Sequence, residues 1–463
     1  MTVSLASDSL DGPVTRFQQL PSPGFAELAH IPGPPESRRS LLYLYRIMRD
    51  PLRFSREGYS EYGAVSRGVN FEGWGVNLVG PEAQELLLVN RDDLFSSELG
   101  WHTVLYQLFP RGLMLMDNPK HRSHRRALSV AFKAEPMRHY FSGLKRGVAR
   151  GIQQWGTSLK LYPAMKKLTL DLAADAFLGL PWGPEAKRIN TAFIHMVQAS
   201  VSVIRSPIPG TPMWRGVRGR KQLSEFFLSE IPKRRGQDDL EDFFSQFCNA
   251  KTDQGEYLSD QEVIDHMNFL MMAAHDTLTS SLTSAVYFLS ANPQWLAWAQ
   301  EEVEATPDIS YDNLDQFERL EMVFKEAMRL NPPVPVIPRR AMRDFEFGGY
   351  TIPAGTMVSV NPMLTHRLPE LWDDPETFNP ERFSTASSRD RHRYAFIPYG
   401  GGAHMCLGLH FAYMQAKVFL HELLIKRSPQ LKAGYEPDWA RFPIPRPRDQ
   451  LPITLNLRAM NVR

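Results

Sequence analysis

The sequence predicts a mainly α-helical protein with a small β region, organised as one domain. Three observations carry that reading. Residues 81–330 follow helical periodicity almost throughout, including a stretch with no Gly or Pro between Gly255 and Pro293. Short segments of strand character gather near 64–80 and 334–362. No internal repeat or low-complexity linker divides the 463 residues.

Taken in order, residues 1–30 mix Ser, Asp, Pro and Gln and are expected to form a flexible head. Ile31-Pro-Gly-Pro-Pro35 leads from it into a single domain over 31–463. Ala64 to Phe71 and Trp74 to Val79 read as a hairpin. In the long helix, Ser259-Asp-Gln-Glu262 is a capping box, in which the two side chains satisfy each other's free amides. The residues that follow are apolar on several faces (Met267, Leu270, Met271, Leu278, Leu282), so the helix is expected to be long, buried and central. Gly348-Gly-Tyr350 and Pro353-Ala-Gly355 mark turns between the later strands. An irregular stretch from about 367 to 407 precedes the last long helix, expected to begin near Cys406, and a Pro-rich tail ends the chain.

Composition narrows the function. Lys and Arg number 53 against 51 Asp and Glu, a net charge of +2, which argues against nucleic acid as a partner. Two cysteines, Cys248 and Cys406, make no disulfide framework and suit a reducing compartment. Residues 1–30 hold no secretory signal core, and no run approaches the ~20 apolar residues of a spanning helix. A cytoplasmic protein without a membrane anchor is expected.

The most informative segment is Phe396-Ile-Pro-Tyr-Gly400-Gly-Gly-Ala-His404-Met-Cys406-Leu-Gly408. Consecutive glycines let the backbone approach a large flat group. Cys406 precedes an apolar helical stripe of Leu409, Ala412, Ala416, Leu420 and Leu423. The free amides and positive dipole end of a helix N-terminus favour a thiolate, and a thiolate suits haem iron. A zinc site would need further ligands nearby, and no second Cys is close. A phosphate loop would need a following Lys-Ser/Thr pair, which is missing. A small buried Cys with no chemical role stays open on this segment alone.

The segment resembles the haem-binding loop of the cytochrome P-450 monooxygenases: an aromatic residue, Gly, a spacer, a basic residue, one residue, Cys, one residue, Gly. Tyr399 stands where that family usually has Phe, and His404 where Arg is commonest. The resemblance extends over roughly 31–455 and implies the cytochrome P-450 fold, a triangular helical domain with a minor β domain, carrying haem b (iron protoporphyrin IX).

By that resemblance Cys406 is the iron ligand. His121, Arg125, Arg339 and His404 serve the haem and its propionates. Arg340 rivals Arg339, since strand alternation turns only one of them inward. Glu326, Arg329 and Arg382 match a structural Glu-Arg-Arg network rather than a catalytic group. Ala273-Ala-His-Asp276-Thr277 matches the oxygen-activation motif, with Ala274 in place of the usual Gly. Thr277 is the expected oxygen-side donor and Asp276 the proton feed, with a helical bulge there to admit water. Helical spacing from Thr277 and strand alternation make Phe269, Met272, Ala273, Val334 and Val336 candidate walls of an apolar substrate pocket. The segments 101–114 and 193–204 add more apolar candidates, including Phe193, Met196, Val201 and Val203.

The reading is a monomeric haem-thiolate monooxygenase that inserts one oxygen atom of O2 into a lipophilic molecule, terpenoid, steroid or fatty-acid-like. With no dinucleotide fingerprint, electrons are expected from a separate ferredoxin or flavodoxin with its reductase. That donor would dock on Lys120, Arg122, Arg126, Arg391 and Arg393. A peroxide-using haem hydroxylase and a haem sensor or ligand carrier are the alternatives. Asp276 and Thr277 argue against the peroxide-using enzyme.

Overall fold

In the computed structural model, residues 20–458 are described apart from 39–40, 71, 181–182, 201, 203 and 238–241. The helical part is layered around the helix Asp260–Ala291, 32 residues long. Its capping box forms as the sequence predicts: Ser259 Oγ accepts from the Glu262 amide at 3.3 Å, and Glu262 accepts from the Ser259 amide at 3.0 Å. The helices Leu161–Leu178, Pro212–Arg234 and Glu318–Leu330 pack around it. Val263, Met267, Leu282, Ala285 and Val286 along it are wholly or almost wholly buried, which is what an apolar surface on several faces requires.

The β part begins with the predicted hairpin, Val65–Asn70 paired antiparallel with Gly73–Leu78. The second strand runs parallel to Met357–Val360, which pairs antiparallel with Ile337–Ala341, and Phe95–Ser96 closes that edge. The five-stranded sheet therefore joins the two regions of strand character, which lie far apart in the sequence. A three-stranded sheet forms from Ser158–Lys160, Pro452–Leu457 and Arg427–Gln430.

Residues 1–19 of the expected flexible head lie outside the described residues. Residues 20–30, assigned to the same head, are anchored in part, with Pro23 and Leu28 buried. Leu28 is fully buried, as is Ile31 just beyond. The Arg67 guanidinium explains why: it donates to the carbonyls of Leu28, Ala29, Ile31, Gly33 and Pro34 at 2.7–3.2 Å. One side chain thus holds five backbone carbonyls of this lead-in segment.

Candidate functional site

The cysteine loop follows the irregular stretch and precedes the helix Leu409–Lys426, whose N-cap is Gly408. Cys406 lies three residues ahead of that helix rather than within its first turn. The loop is closed by the Cys406 amide donating to the Tyr399 carbonyl at 2.9 Å. Gly402 has φ +60°, and a Cβ there would stand 1.9 Å from the Leu88 carbonyl oxygen, so only Gly lets the loop seat on the helix Pro81–Val89. The Cys406 side chain is open although protein atoms surround it deeply, so the sulfur faces an interior space. Burial pushes its thiol above the ordinary range, outweighing the Gly408 amide and Arg125, which pull it down. The expected lowering by the helix end is therefore not met by the protein alone. A cation at the sulfur would have to supply it.

Beside Cys406 stands a group of buried cationic and imidazole side chains. His121 and His404, far apart in sequence, stack with ring centroids 3.8 Å apart. Burial lowers the pKa of both, that of His121 to about 4, helped by Arg125. Both ring nitrogens of His121 are buried without a hydrogen-bond partner among the described residues. Arg339 is enclosed, its pKa lowered to about 10 by burial, and its one hydrogen bond among the described residues goes to its neighbour's carbonyl, Pro338, at 2.9 Å. Arg340 faces the other way, paired with Glu72 and bonded to the Leu20 carbonyl and Ser22. The strand therefore turns Arg339 toward His121 and His404. A buried cation, Arg339, and an orphaned imidazole, His121, beside an open sulfur fit a ligand that carries a metal at its centre and anions at its edge. Haem, with its iron and two propionates, has that chemistry.

In the central helix Phe269, Leu270, Ala273, Ala274 and Thr277 are partly open, whereas Met271, His275 and Asp276 between them and Leu278 just beyond are buried. These spacings of three and four put one face of the helix against an interior space. Met272 is partly open as well. Val334 and Val336 are partly open and alternate with buried Pro335 and Ile337, so the strand lead-in turns the same two side chains toward a space. Phe193 and Met196 are buried in the core, Phe193 edge-on to His275 at 5.8 Å, and are packing rather than pocket wall. Val201 and Val203 lie outside the described residues.

The Thr277 hydroxyl donates back to the Ala273 carbonyl at 2.7 Å, as expected. The expected bulge is not there: the helix is α throughout 260–291. Thr279, Ser281 and Thr283 make the same backward bond without breaking it. Ala274 also withholds the backbone freedom that Gly would bring to a distortion. Asp276 points elsewhere, to Lys166 Nζ and His275 Nδ1, each 3.1 Å away. Burial alone would raise its pKa, but His275 and then Lys166 overrule that and hold the carboxyl well below its usual range. Lys166 was not visible from sequence. It comes from the helix Leu161–Leu178, and its side chain is 26% exposed, which links the buried Asp276 to solvent.

Glu326 and Arg329 form a fully buried pair, Nε to Oε2 at 2.7 Å, and Arg382 Nε lies 3.5 Å from Oε1. Arg329 also donates to the carbonyls of His366, Pro375 and Thr377. The network thus ties one helix to the irregular stretch that leads to Cys406. Of the expected docking cations, Arg391 is a correction. It stacks on Trp372 and Phe383 at 4.3 and 5.0 Å and donates to the Arg382 carbonyl, because two aromatic faces there offer an enclosed guanidinium a better place than water. Lys120 and Arg126 are paired with Glu262 and Asp253. Arg122 and Arg393 stay exposed.

The Cytochrome P450 family model matches residues 40–435. The chain belongs to the cytochrome P450 family. It is a haem b monooxygenase, an oxidoreductase that takes O2 and a lipophilic substrate and draws electrons from redox partners. The cytochrome P450 136 of Mycobacterium tuberculosis is 38% identical over 395 residues, covering 83% of this chain and 80% of that protein. Taxane 10-beta-hydroxylase of Taxus cuspidata is 26% identical, covering 83% and 80%. A cyanobacterial P450, CYP120A1, solved with retinoic acid bound, superposes with a TM-score of 0.82 at 27% identity, over 89% of this chain and 96% of that one. The mainly helical P450 fold with its small sheets follows from the same comparison. No helix among the described residues is long and apolar enough to cross a membrane.

Proposed function

We propose that this P450 hydroxylates a neutral isoprenoid or polycyclic lipid on a haem held by Cys406. The observation that carries the ligand assignment is the open, deeply placed sulfur flanked by Arg125, His404, the buried Arg339 and a His121 whose ring nitrogens have no hydrogen-bond partner among the described residues. Those four side chains would hold the propionates. When bound, the haem supplies oxygen activation, with the thiolate feeding electron density to iron. The protein orients the substrate, excludes water and delivers protons.

Protons reach the site along the chain's own groups. Lys166 touches solvent and holds the Asp276 carboxylate, ionised, at 3.1 Å. Consecutive helix positions diverge by about 100°, so Asp276 must turn from Lys166, or act through water, to pass a proton to Thr277 Oγ1. The Thr277 hydroxyl, on the open face, then gives it up on the oxygen side. A peroxide-using enzyme would not need this path, and neither would a sensor.

The substrate class rests on two arginines that a fatty acid would need. Arg111 is engaged with buried Asp265 at 3.1 Å. Arg205 donates to the carbonyls of Ser200, Thr103 and Val104 at 2.8–3.2 Å. A carboxylate anchor would require breaking one of these sets. The walls Phe269, Met272, Ala273, Val334 and Val336 offer apolar area, worth about 25 cal/mol per Å² buried. Retinoic acid, bound in CYP120A1, and the taxane skeleton named for the Taxus enzyme share isoprenoid hydrocarbon. Neutral terpenoids and sterols are expected to give the larger spin-state shifts on binding, retinol a larger one than retinoic acid, and Arg205→Ala little change. Tightest binding by fatty acids, lost in Arg111→Ala or Arg205→Ala, would replace this reading with an arginine-anchored acid.

The electron donor is read as an acidic ferredoxin or flavodoxin served by its own reductase, and the enzyme as a cytoplasmic monomer. Arg122 and Arg393 are the cations left to meet the donor. First-electron transfer is then expected to slow as salt rises past the point where the screening length falls below ~10 Å, and more weakly so in Arg122→Glu with Arg393→Glu. A rate indifferent to salt would move the docking face elsewhere.

A further inference from the structure

Tyr399, the residue in the cysteine loop that departs from the usual Phe, does not stand alone. Its carbonyl accepts from the Cys406 amide at 2.9 Å, so its backbone touches the proposed ligand. Its ring lies 5.3 Å from that of Tyr413, centroid to centroid, at 60°. The Tyr399 hydroxyl is buried outside good hydrogen-bond geometry, with the Tyr413 phenol beside it. Beyond Tyr413 comes a charged group that reaches solvent. Lys325 Nζ sits 5.6 Å over the Tyr413 ring, Glu321 pairs with both Lys325 and Lys417 at 2.7 Å, and Glu321 is 28% exposed. Burial first pushes both phenols above their ordinary range; Tyr413, Cys406 and Glu321 add to this at Tyr399, and Glu321 at Tyr413.

A phenol is among the most easily oxidised side chains, whereas a packing role needs only the ring that Phe already provides. Two phenols in ring contact, running from the ligand to a solvent-touching carboxylate, make a chain of oxidisable groups with a proton acceptor at its outer end. We propose that Tyr399 and Tyr413 form a redox-active pair that drains an oxidising equivalent from the haem side to the surface when no substrate consumes it. The proposal rests on the assignment of Cys406 as ligand.

The step balances. Tyr399 loses one electron to the oxidised haem centre, which is reduced by one, and its phenolic proton moves toward the Glu321 carboxylate. A hydrogen atom then passes from the Tyr413 hydroxyl to the Tyr399 phenoxyl, restoring Tyr399 and leaving the radical on Tyr413. A one-electron reductant of the ascorbate or thiol class, with a proton from solvent, restores Tyr413.

The experiment uses substrate-free holoprotein, first checked for a thiolate-type carbon monoxide spectrum, then mixed with a peracid and freeze-quenched for electron paramagnetic resonance. Wild type is expected to give a tyrosyl radical that ascorbate quenches. Tyr399→Phe should lose most of it. Tyr413→Phe should keep a radical with the altered hyperfine pattern of Tyr399, and it should no longer be quenched readily. Both variants should bleach their haem several-fold faster. No tyrosyl radical in wild type, an undiminished one in Tyr399→Phe, or unchanged quenching in Tyr413→Phe each overturns the pair. Failure of the ligand assignment would show separately, as a missing thiolate band before any peracid is added.

Discussion

Asp276→Asn is expected to slow substrate hydroxylation by ~10²-fold or more, the usual contribution of a positioned proton donor, with a larger solvent isotope effect and unchanged substrate affinity. The amide keeps the shape and can still lie against Lys166 and His275, so the haem side and the pocket should be undisturbed. What it loses is a carboxylate that can take up a proton and hand it on. Thr277→Ala should differ in kind: electrons are still consumed, but they appear as peroxide or water rather than product. Lys166→Met offers a sign test. Lys166 helps hold the Asp276 carboxyl below its usual range. Its removal should raise that pKa and move the acidic limb of the pH profile to higher pH. Normal coupling and rate in all three variants would reduce this segment to helix packing.

Glu326→Ala is expected to cost ~3–5 kcal/mol of stability, the range for stripping one partner from a buried pair. The two arginines left behind differ in their needs. Arg329 keeps three backbone carbonyls, but its charge and that of Arg382 lose the carboxylate that neutralised them. Glu326 also accepts from the Asn379 amide at 3.0 Å, so the irregular stretch loses an anchor too. The variant should melt at a markedly lower temperature and hold haem poorly, read as loss of the haem band on heating. A change under ~1 kcal/mol would place the pair with ordinary surface bridges.

Much of this architecture is written in local signals. The capping box at Ser259, the Gly- and Pro-free run behind it and the turns around Gly348 and Gly355 depend only on near neighbours, so they can be read along the chain. The Cys406 loop is legible for the same reason, since its glycines, Tyr399, His404 and Cys406 are contiguous. Pairings between distant segments are not. Nothing near Asp276 announces Lys166, 110 residues away. Nothing near His124 announces His266, its partner at 2.7 Å across 142 residues. The choice between Arg339 and Arg340 needed the location of Glu72 and of residues 20–22, which draw Arg340 to the outer side. Arg391 looked like a surface cation because a charge run reads the same whether solvated or laid on Trp372. The bulge at 273–277 was expected from the motif, yet the residue that departs from it, Ala274, is a good helix former.

The family places a haem b in this protein, and the central claim made for the chain itself is that Cys406 is the ligand. The direct measurement is the absorption spectrum of the reduced protein under carbon monoxide, in wild type and in Cys406→Ser. Wild type should show the strongly red-shifted band of a thiolate-ligated haem, and Cys406→Ser should lose it, either by binding haem with an ordinary band or by failing to hold it. A red-shifted band that survives in Cys406→Ser would contradict the assignment, since the only other cysteine, Cys248, is buried in the core.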